Sequence, residues 1–232
     1  MKFLIICPML FLAGFVDSIG GGGGLISLPA YILAGYPTHM AIASNKLASA
    51  CGTGVSVVRF IREKLINWRF GLCTIVCAML GSFCGANVSL NTGEATLKMV
   101  LLPVLFCAAF FVINKKLFGN AGHESEVFTK RTYIVGMIAA LLIGFYDGFY
   151  GPGTGTFLII CLNVFGHIAV KKANAQSKII NLTTNLTSLF VFIMGGQVVW
   201  IAGLAGAVCN MLGNLLGSKL VITKGAVKKR SP

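Results

Sequence analysis

The sequence predicts an all-α integral membrane protein that consists of two copies of one repeat. Of its 232 residues, 56% are hydrophobic and 11% are charged, whereas a soluble domain carries about 25% charged residues. The chain is also interrupted twice by a glycine-rich run that follows an aspartate, at 20–24 and again at 151–155. The composition indicates a membrane environment, and the recurring phrase indicates a duplication.

Apolar runs supply the predicted membrane helices. Several approach the length of about 20 residues that a helix needs to cross the hydrocarbon core, and those beside the glycine-rich runs are shorter. There are nine of them, at 3–16, 25–33, 40–58, 70–90, 97–113, 133–146, 156–165, 179–194 and 198–222. The net charge of +13 comes from basic residues at the ends of these runs, which is typical of membrane anchors. We therefore expect the lipid bilayer, and no nucleic acid, as a partner.

The only two aspartates of the chain mark the duplication. Asp17 precedes the first glycine-rich run and Asp147 precedes the second, 130 residues later. At an offset of 132 residues, further identities follow: Lys46 with Lys178, Trp68 with Trp200, Gly81 with Gly213, and Gly85 with Gly217. The two glycine pairs are predicted to let neighbouring helices approach closely.

The basic residues predict that the two copies are inverted in the membrane. Arg59, Arg62 and Arg69 surround a connection of the first copy whose match, at 195–199, is uncharged; Lys171 and Lys172 lie in a second-copy connection whose match has no lysine or arginine. Because lysine and arginine favour cytoplasmic loops, equivalent loops are expected on opposite sides. Inversion requires an odd number of crossings per copy. An odd number results if the segment with the glycine break enters the membrane and returns to the same side as two short half-helices, and three full spans follow it.

The duplication also sets the expected domain boundaries. Repeat 1 covers residues 1–113, a basic cytoplasmic linker covers 114–131, and repeat 2 covers 132–232. The counterpart of the apolar run at 97–113 would begin near residue 229, at the end of the sequence. We therefore expect the last helix of the second copy to be missing.

The glycine-rich breaks are the predicted substrate site. A broken helix at membrane depth is tolerated where it lines a protein-bounded or wet cavity, and the amides at such breaks suit anions. The residues assigned to this role are Gly21, Gly22, Gly23, Gly24, Gly151, Gly153, Thr154 and Gly155. The alternative interpretation is that the glycines only bend the chain or pack helices tightly.

Charged and amide side chains near the breaks extend the predicted site. Asp17 and Asp147 are assigned to coupling or gating, since two carboxylates that approach each other favour protonation; alternatively, each caps the amides of its glycine loop. Lys46 and Lys178 could supply positive charge to an anion, or extend to the membrane surface. Neutral hydrogen bonds are expected from Asn45, Ser177, Asn181 and Asn185.

Other classes of function find little support in the sequence. The eight cysteines lie in apolar runs without metal-ligand spacing, and the three histidines are scattered, so neither a metal site nor a cofactor is expected. Motifs for nucleotide binding or hydrolysis are also lacking. We therefore do not expect an enzyme.

The chain resembles the TauE/SafE-type sulfite exporter family of bacterial membrane permeases. The resemblance rests on the phrases at 14–24, 44–47, 67–69, 144–155 and 177–182. It implies a multi-pass carrier of the bacterial inner membrane that moves small anions, especially sulfite, organosulfonates or related sulfur oxyanions.

The leading hypothesis is a secondary transporter coupled to the proton gradient. The alternatives are a passive anion channel and a non-transporting membrane subunit, the latter suggested by the missing last helix. The sequence leaves a homo-oligomer open.

Overall fold

The computed structural model describes residues 2–113, 125 and 127–227, and these residues form helices and short connections without a β-strand. The helices are α1 (Lys2–Gly20), α2 (Gly24–Leu33), α3 (Thr38–Arg62), α4 (Trp68–Asn91), α5 (Glu94–Ile113), α6 (Lys130–Phe149), α7 (Thr154–Ile160), which continues as a π-helical turn (Cys161–Phe165), α8 (Val170–Met194) and α9 (Trp200–Val227). Each predicted apolar run coincides with one of these helices. The predicted linker lies mostly outside the described residues, as does the end of the chain from residue 228.

Five helices in the described part of the chain, namely α1, α4, α6, α8 and α9, are long and apolar enough to cross a membrane. Large apolar side chains on their outer faces, such as Leu72 and Val76 on α4 and Val208 on α9, are more than half exposed. Such a surface suits hydrocarbon and not water. The structure thus confirms the prediction of an all-α membrane protein.

Both glycine-rich runs break the helical backbone. Gly21 and Gly22 have φ angles of 75° and 88°, and Gly151 and Gly153 have φ angles of 99° and 83°. These angles lie in the left-handed region, which glycine adopts without the steric cost that a Cβ would add. The predicted breaks are therefore present in the backbone.

The helices on the two sides of each break differ in length, which the sequence analysis did not expect. The helix before each break, α1 or α6, has 19 or 20 residues, and only the helix after it, α2 or α7, is short. Asp17 and Asp147 do not end their helices, because the first glycine with a left-handed backbone, Gly21 or Gly151, comes four residues later. The aspartates consequently lie in the last turns of long helices.

Glycine pairs allow α4 to lie against α6, and α1 against α9. A Cβ atom on Gly81 or Gly85 would lie about 2 Å from a backbone oxygen of α6, at 2.1 Å from Leu141 O and 2.0 Å from Phe145 O. The equivalent Gly213 would meet the backbone of α1 at 2.0 Å from Phe11 O. Contacts this short exclude any side chain, so the predicted close approach of the helices is confirmed.

In each of the two helix hairpins formed around a glycine break, the first helix begins close to the point where the second helix ends. The ammonium of Lys2, at the start of α1, lies 4.5 Å from the ring centre of Tyr36, which follows α2. The hydroxyl of Thr132, near the start of α6, donates to the carbonyl of Gly166, after the π-helical turn, at 2.8 Å. The glycine loops therefore lie deep in the bundle.

One end of the bundle, called here the basic end, collects most of the described lysines and arginines. Phe128, just before α6, packs on Phe70 near the start of α4, with ring centres 5.3 Å apart, and Gln176 of α8 donates to the carbonyl of Asn67 at 3.4 Å. These contacts bring together the interhelical connections that carry the lysines and arginines. The basic end comprises Arg59, Arg62, Lys64, Arg69, Lys130, Arg131, Lys171 and Lys172.

The Gly85→Ala substitution should destabilise the bundle, because its methyl group would force α4 and α6 apart. Overpacking of this kind costs about 1–3 kcal/mol. Gly54→Ala is the matched control: Gly54 also lies in a helix, but a Cβ there meets nothing within 4 Å, so it should be neutral or stabilising by up to about 1 kcal/mol. Thermal unfolding in detergent measures both, and equal unfolding temperatures would contradict the contact.

Candidate functional site

The two glycine-rich loops meet inside the bundle. A Cβ atom on Gly21 would lie 2.3 Å from the backbone nitrogen of Thr156, in the other copy. The hydroxyl of Thr156 also donates to the carbonyl of Gly20 at 3.0 Å. The contact joins residues that lie about 135 positions apart in the sequence, and it provides the shared polar centre that the repeated phrase suggests.

A small cavity lies beside this contact, between the loops and helices α3, α8 and α9. Its water-accessible volume is about 20 Å³, which is room for about one water molecule. The lining residues are Asp17, Gly22, Gly23, Gly24, Asn45, Lys46, Ser49, Thr53, Asp147, Gly151, Gly153, Thr154, Gly155, Asn181, Asn185 and Asn210. An anion larger than water would require the surrounding helices to separate.

Asp147 forms a buried ion pair with Lys46, a residue of the other copy. Lys46 Nζ lies 3.0 Å from Asp147 Oδ2, and the two side chains are 1% and 3% exposed. The ammonium also donates a hydrogen bond to the backbone carbonyl of Asp147. The other carboxylate oxygen, Oδ1, accepts from the hydroxyl of Thr154 at 2.7 Å.

Asp17 forms the equivalent pair with Lys178, again across the two copies. Lys178 Nζ donates to Asp17 Oδ2 at 2.6 Å and to the carbonyl of Asp17 at 2.5 Å. The lysine side chain is fully buried and the aspartate side chain is 13% exposed. Each copy thus supplies the acid of one pair and the base of the other.

The pairs decide between alternatives that the sequence leaves open. Lys46 and Lys178 are buried, so the interpretation that they extend to the membrane surface is wrong. Among the described contacts, the carboxylates accept hydrogen bonds from Lys178 and Thr154 and not from glycine amides. Each aspartate is therefore paired with a lysine and not with the other aspartate, and Asp147 is held in addition by the hydroxyl of Thr154 in its own glycine-rich run.

Amide and hydroxyl groups at four-residue spacing complete the walls of the cavity. Asn45, Ser49 and Thr53 follow one face of α3, and Asn181 and Asn185 follow the equivalent face of α8. Asn185 Nδ2 donates to Asn181 Oδ1 at 2.6 Å. The side-chain oxygen of Asn45 is buried and has no hydrogen-bond partner within the described residues, which leaves it available to a molecule in the cavity.

Three of the residues assigned to the site do not line the cavity. Gly21 faces the other glycine loop. Ser177 is buried and donates to the carbonyl of Asn174 at 2.8 Å. Lys178 lies behind Asp17, which is the member of that pair that faces the cavity.

Conversely, three residues line the cavity that were not predicted from the sequence to belong to the site. Ser49 and Thr53 could have been found, since they lie 132 residues before Asn181 and Asn185. Asn210 is matched by Ala78 in the first copy, so the duplication contains no signal for it. A polar residue within the apolar α9 was the only indication.

The charges of the two ion pairs balance, and the start of a helix lies beside them. Two ammonium groups and two carboxylates sum to zero, so the closed cavity has no excess charge. Gly22, Gly23 and Gly24 line it at the start of α2. The amides of Leu25 and Ile26 already donate to the carbonyls of Gly22 and Gly23, so the amides of the three glycines are the helix-start groups that can face a ligand. Anions bind such helix starts through these groups. The described residues include no cluster of side chains that could hold a metal ion.

Comparison with known proteins identifies similar sequences. Residues 6–230 match the family model described as Sulfite exporter TauE/SafE. A "Probable membrane transporter protein" of Haemophilus influenzae is 36% identical over 218 residues, which cover 93% of this chain and 83% of the relative. The "Probable membrane transporter protein YfcA" of Escherichia coli is 37% identical over 92% of this chain and 78% of its own length. No solved structure matches.

Removal of one member of a buried pair should cost more than removal of both. Lys46→Met leaves the carboxylate of Asp147 buried without its cation, which typically destabilises a protein by about 3–5 kcal/mol. The double variant Lys46→Met/Asp147→Asn removes both charges and should recover most of the loss. Thermal unfolding in detergent compares them, with Lys178→Met and Lys178→Met/Asp17→Asn as the second pair. Equal losses in single and double variants would contradict the ion pair.

Proposed function

This chain belongs to the TauE/SafE sulfite exporter family of membrane transporters, and we propose that it is a secondary transporter of small anions such as sulfite, organosulfonates or related sulfur oxyanions. The observation that carries the proposal is the pair of buried aspartate–lysine contacts exchanged between the two copies at one polar cavity. Ionisable groups inside a membrane protein are costly and usually serve transport. The relatives are bacterial membrane transporters, and the chain is accordingly a multi-pass bacterial membrane protein.

The chemistry of the cavity favours an anion as the substrate. The loop before α2 brings the backbone amides of Gly22, Gly23 and Gly24 to the cavity, and Asn45 and Asn181 add side-chain amides whose nitrogens can donate. Lys46 lines the cavity directly. An oxyanion of sulfur offers several acceptor oxygens to such donors.

Coupling to protons follows from the neutrality of the closed cavity. While both carboxylates are ionised, each ammonium is already paired, and an entering anion would meet no uncompensated positive charge. A proton on Asp147 neutralises that carboxylate and leaves Lys46 as a cation for the anion. A proton on Asp17 leaves the positive charge of Lys178 uncompensated behind the cavity wall. One proton therefore accompanies each negative charge, and the two cross the membrane together.

The proposed architecture is a pair of inverted repeats, at 1–113 and 132–232, joined by a cytoplasmic linker at 114–131. In support, the first hairpin returns beside Tyr36, directly before α3, whereas the second starts beside Phe70, beyond the far end of α3. The basic end carries most of the described positive charge, which favours the cytoplasmic side. The closed cavity corresponds to an occluded state, and movement of one copy against the other would open it alternately to the two sides.

The test is transport of labelled sulfite, thiosulfate and a sulfonate into proteoliposomes, with and without an imposed pH gradient. A coupled transporter should show saturable uptake and should accumulate at least one of these anions above its external concentration only when the gradient is present. Downhill, non-saturating flux would indicate a channel instead. No flux, together with a stoichiometric partner in the purified material, would indicate a non-transporting subunit.

Asp17→Asn and Asp147→Asn should each abolish gradient-driven accumulation, because an amide cannot release and recover the proton. Downhill exchange should remain, since the uncompensated ammonium still attracts the anion. Glu63→Gln, a carboxylate-to-amide change at an exposed position of the basic end, is the matched control and should accumulate normally. Accumulation by both aspartate variants at the unsubstituted rate would remove the coupling role.

A further inference from the structure

A buried line of polar side chains runs from the cavity to the basic end between α1, α3 and α9. It begins with Thr53 and Asn210, which line the cavity, and we name it the polar seam. Its members are Thr53, Ser56 and Arg59 of α3 and Asn210, Asn214 and Ser218 of α9. Five of the six are at most 4% exposed, and Arg59 is half-buried at the outer end.

Hydrogen bonds between side chains link five of the six seam residues in two groups. Asn214 Nδ2 donates to Asn210 Oδ1 at 2.9 Å, and the hydroxyl of Ser56 donates across the helices to Asn214 Oδ1 at 2.7 Å. At the outer end, the guanidinium of Arg59 donates to the hydroxyl of Ser218 at 3.0 Å. The polar groups thus follow one another from the interior to a cation.

The seam is enclosed inside but opens outside. Gly52 provides room for Asn210, since a Cβ there would lie 1.8 Å from Asn210 Oδ1. At the outer end, Arg59 is the seam residue that reaches an open groove between α3 and α9, which it lines together with Arg62 and with apolar residues of both helices. The positive charge at this mouth would attract anions.

The equivalent interface in the other half of the molecule lacks these features. The positions that match Arg59, Asn210 and Ser218 are Val191, Ala78 and Ala86, all at most 6% exposed. Ser56 and Asn214 are matched by Ser188 and Ser82, and both of these hydroxyls donate to the backbone carbonyl of Thr184 at 2.7 Å. This interface is therefore closed by apolar side chains and by hydroxyls that already have backbone acceptors.

We propose that the polar seam is the passage by which the anion moves between the cavity and the basic end, with Arg59 as its entry residue. The proposal rests on the transport function argued above, and it deepens it by naming a route. A seam that only held helices together would need neither a cation at its mouth nor a groove. Hydrogen bonds between amides and hydroxyls can exchange for bonds to an oxyanion as the helices separate.

Thiol accessibility tests the route without relying on flux. Ser56→Cys and the matched Ser188→Cys are each treated, in inside-out vesicles, with an anionic methanethiosulfonate that carries a sulfonate. Labelled sites are identified by peptide mass spectrometry, so that the native cysteines stay in place. The thiol of Ser56→Cys should react at least about 10-fold faster than that of Ser188→Cys, because charge at a cleft raises encounter rates by such factors.

A second comparison isolates the charge of Arg59. In the Ser56→Cys background, Arg59→Gln should slow the anionic reagent several-fold and leave a neutral methanethiosulfonate of similar size unchanged. Arg69→Gln, which removes an exposed charge at the same end, should change neither rate. A purely structural role for Arg59 would change both reagents alike.

The outcomes separate the route from the function. Equal labelling at positions 56 and 188, or an equal effect of Arg59→Gln on both reagents, would overturn the route even if sulfite is transported. Fast, charge-selective labelling at position 56 would support the route even in the absence of sulfite flux, in which case the proposed substrate class would fail alone.

Discussion

The cost of placing charge inside a membrane protein dominates this structure. Two carboxylates and two ammonium groups lie almost fully buried near the centre of the bundle, and an ion in such surroundings is tolerated only with a partner of opposite charge. The chain meets this requirement by exchange: Asp17 of the first copy holds Lys178 of the second, and Asp147 of the second holds Lys46 of the first. Neither copy alone contains both members of either of these ion pairs. The pairs therefore lock the copies together and place their only aspartates at one cavity.

The glycines permit this arrangement because a Cβ atom at their positions would clash with neighbouring backbone or strain the chain. Gly21 and Gly151 adopt backbone angles that other residues rarely adopt, which brings the two loops into contact. Gly85 and Gly213 permit each long helix before a break to lie directly on a helix of the other copy. Small residues serve this purpose in membranes because close packing, and not hydrophobic burial, drives helix association. Loops and helix interfaces thus depend on the same residue type for different reasons.

The positions at which the two copies differ are as informative about function as the positions that they share. Residues that hold the centre are repeated, whereas the path toward the basic end is polar in one half and apolar in the other. Asn210 and Arg59 have an alanine and a valine as their counterparts. Selection for packing alone would act similarly on both interfaces. The difference agrees with a molecule whose two sides face different compartments, as the proposed transport requires.

The sequence by itself determined the membrane class, the helices of the described residues, the two breaks and most of the cavity lining. These features depend on local composition and on a repeat that can be read along the chain: an apolar run becomes a helix in lipid, and a glycine run breaks one. Even Ser49 and Thr53 could have been predicted from the residues that match them in the second copy.

Only the tertiary structure decided which charges meet. An aspartate in an apolar segment can cap a loop, approach a second aspartate or pair with a lysine, and each choice satisfies the same local pattern. The choice depends on which helices become neighbours, and this is set by packing between residues more than 100 positions apart. For the same reason, the location of Asn210 in the cavity and of Ser177 outside it could not be derived from the chain, since a side chain's surroundings are a property of the assembled bundle.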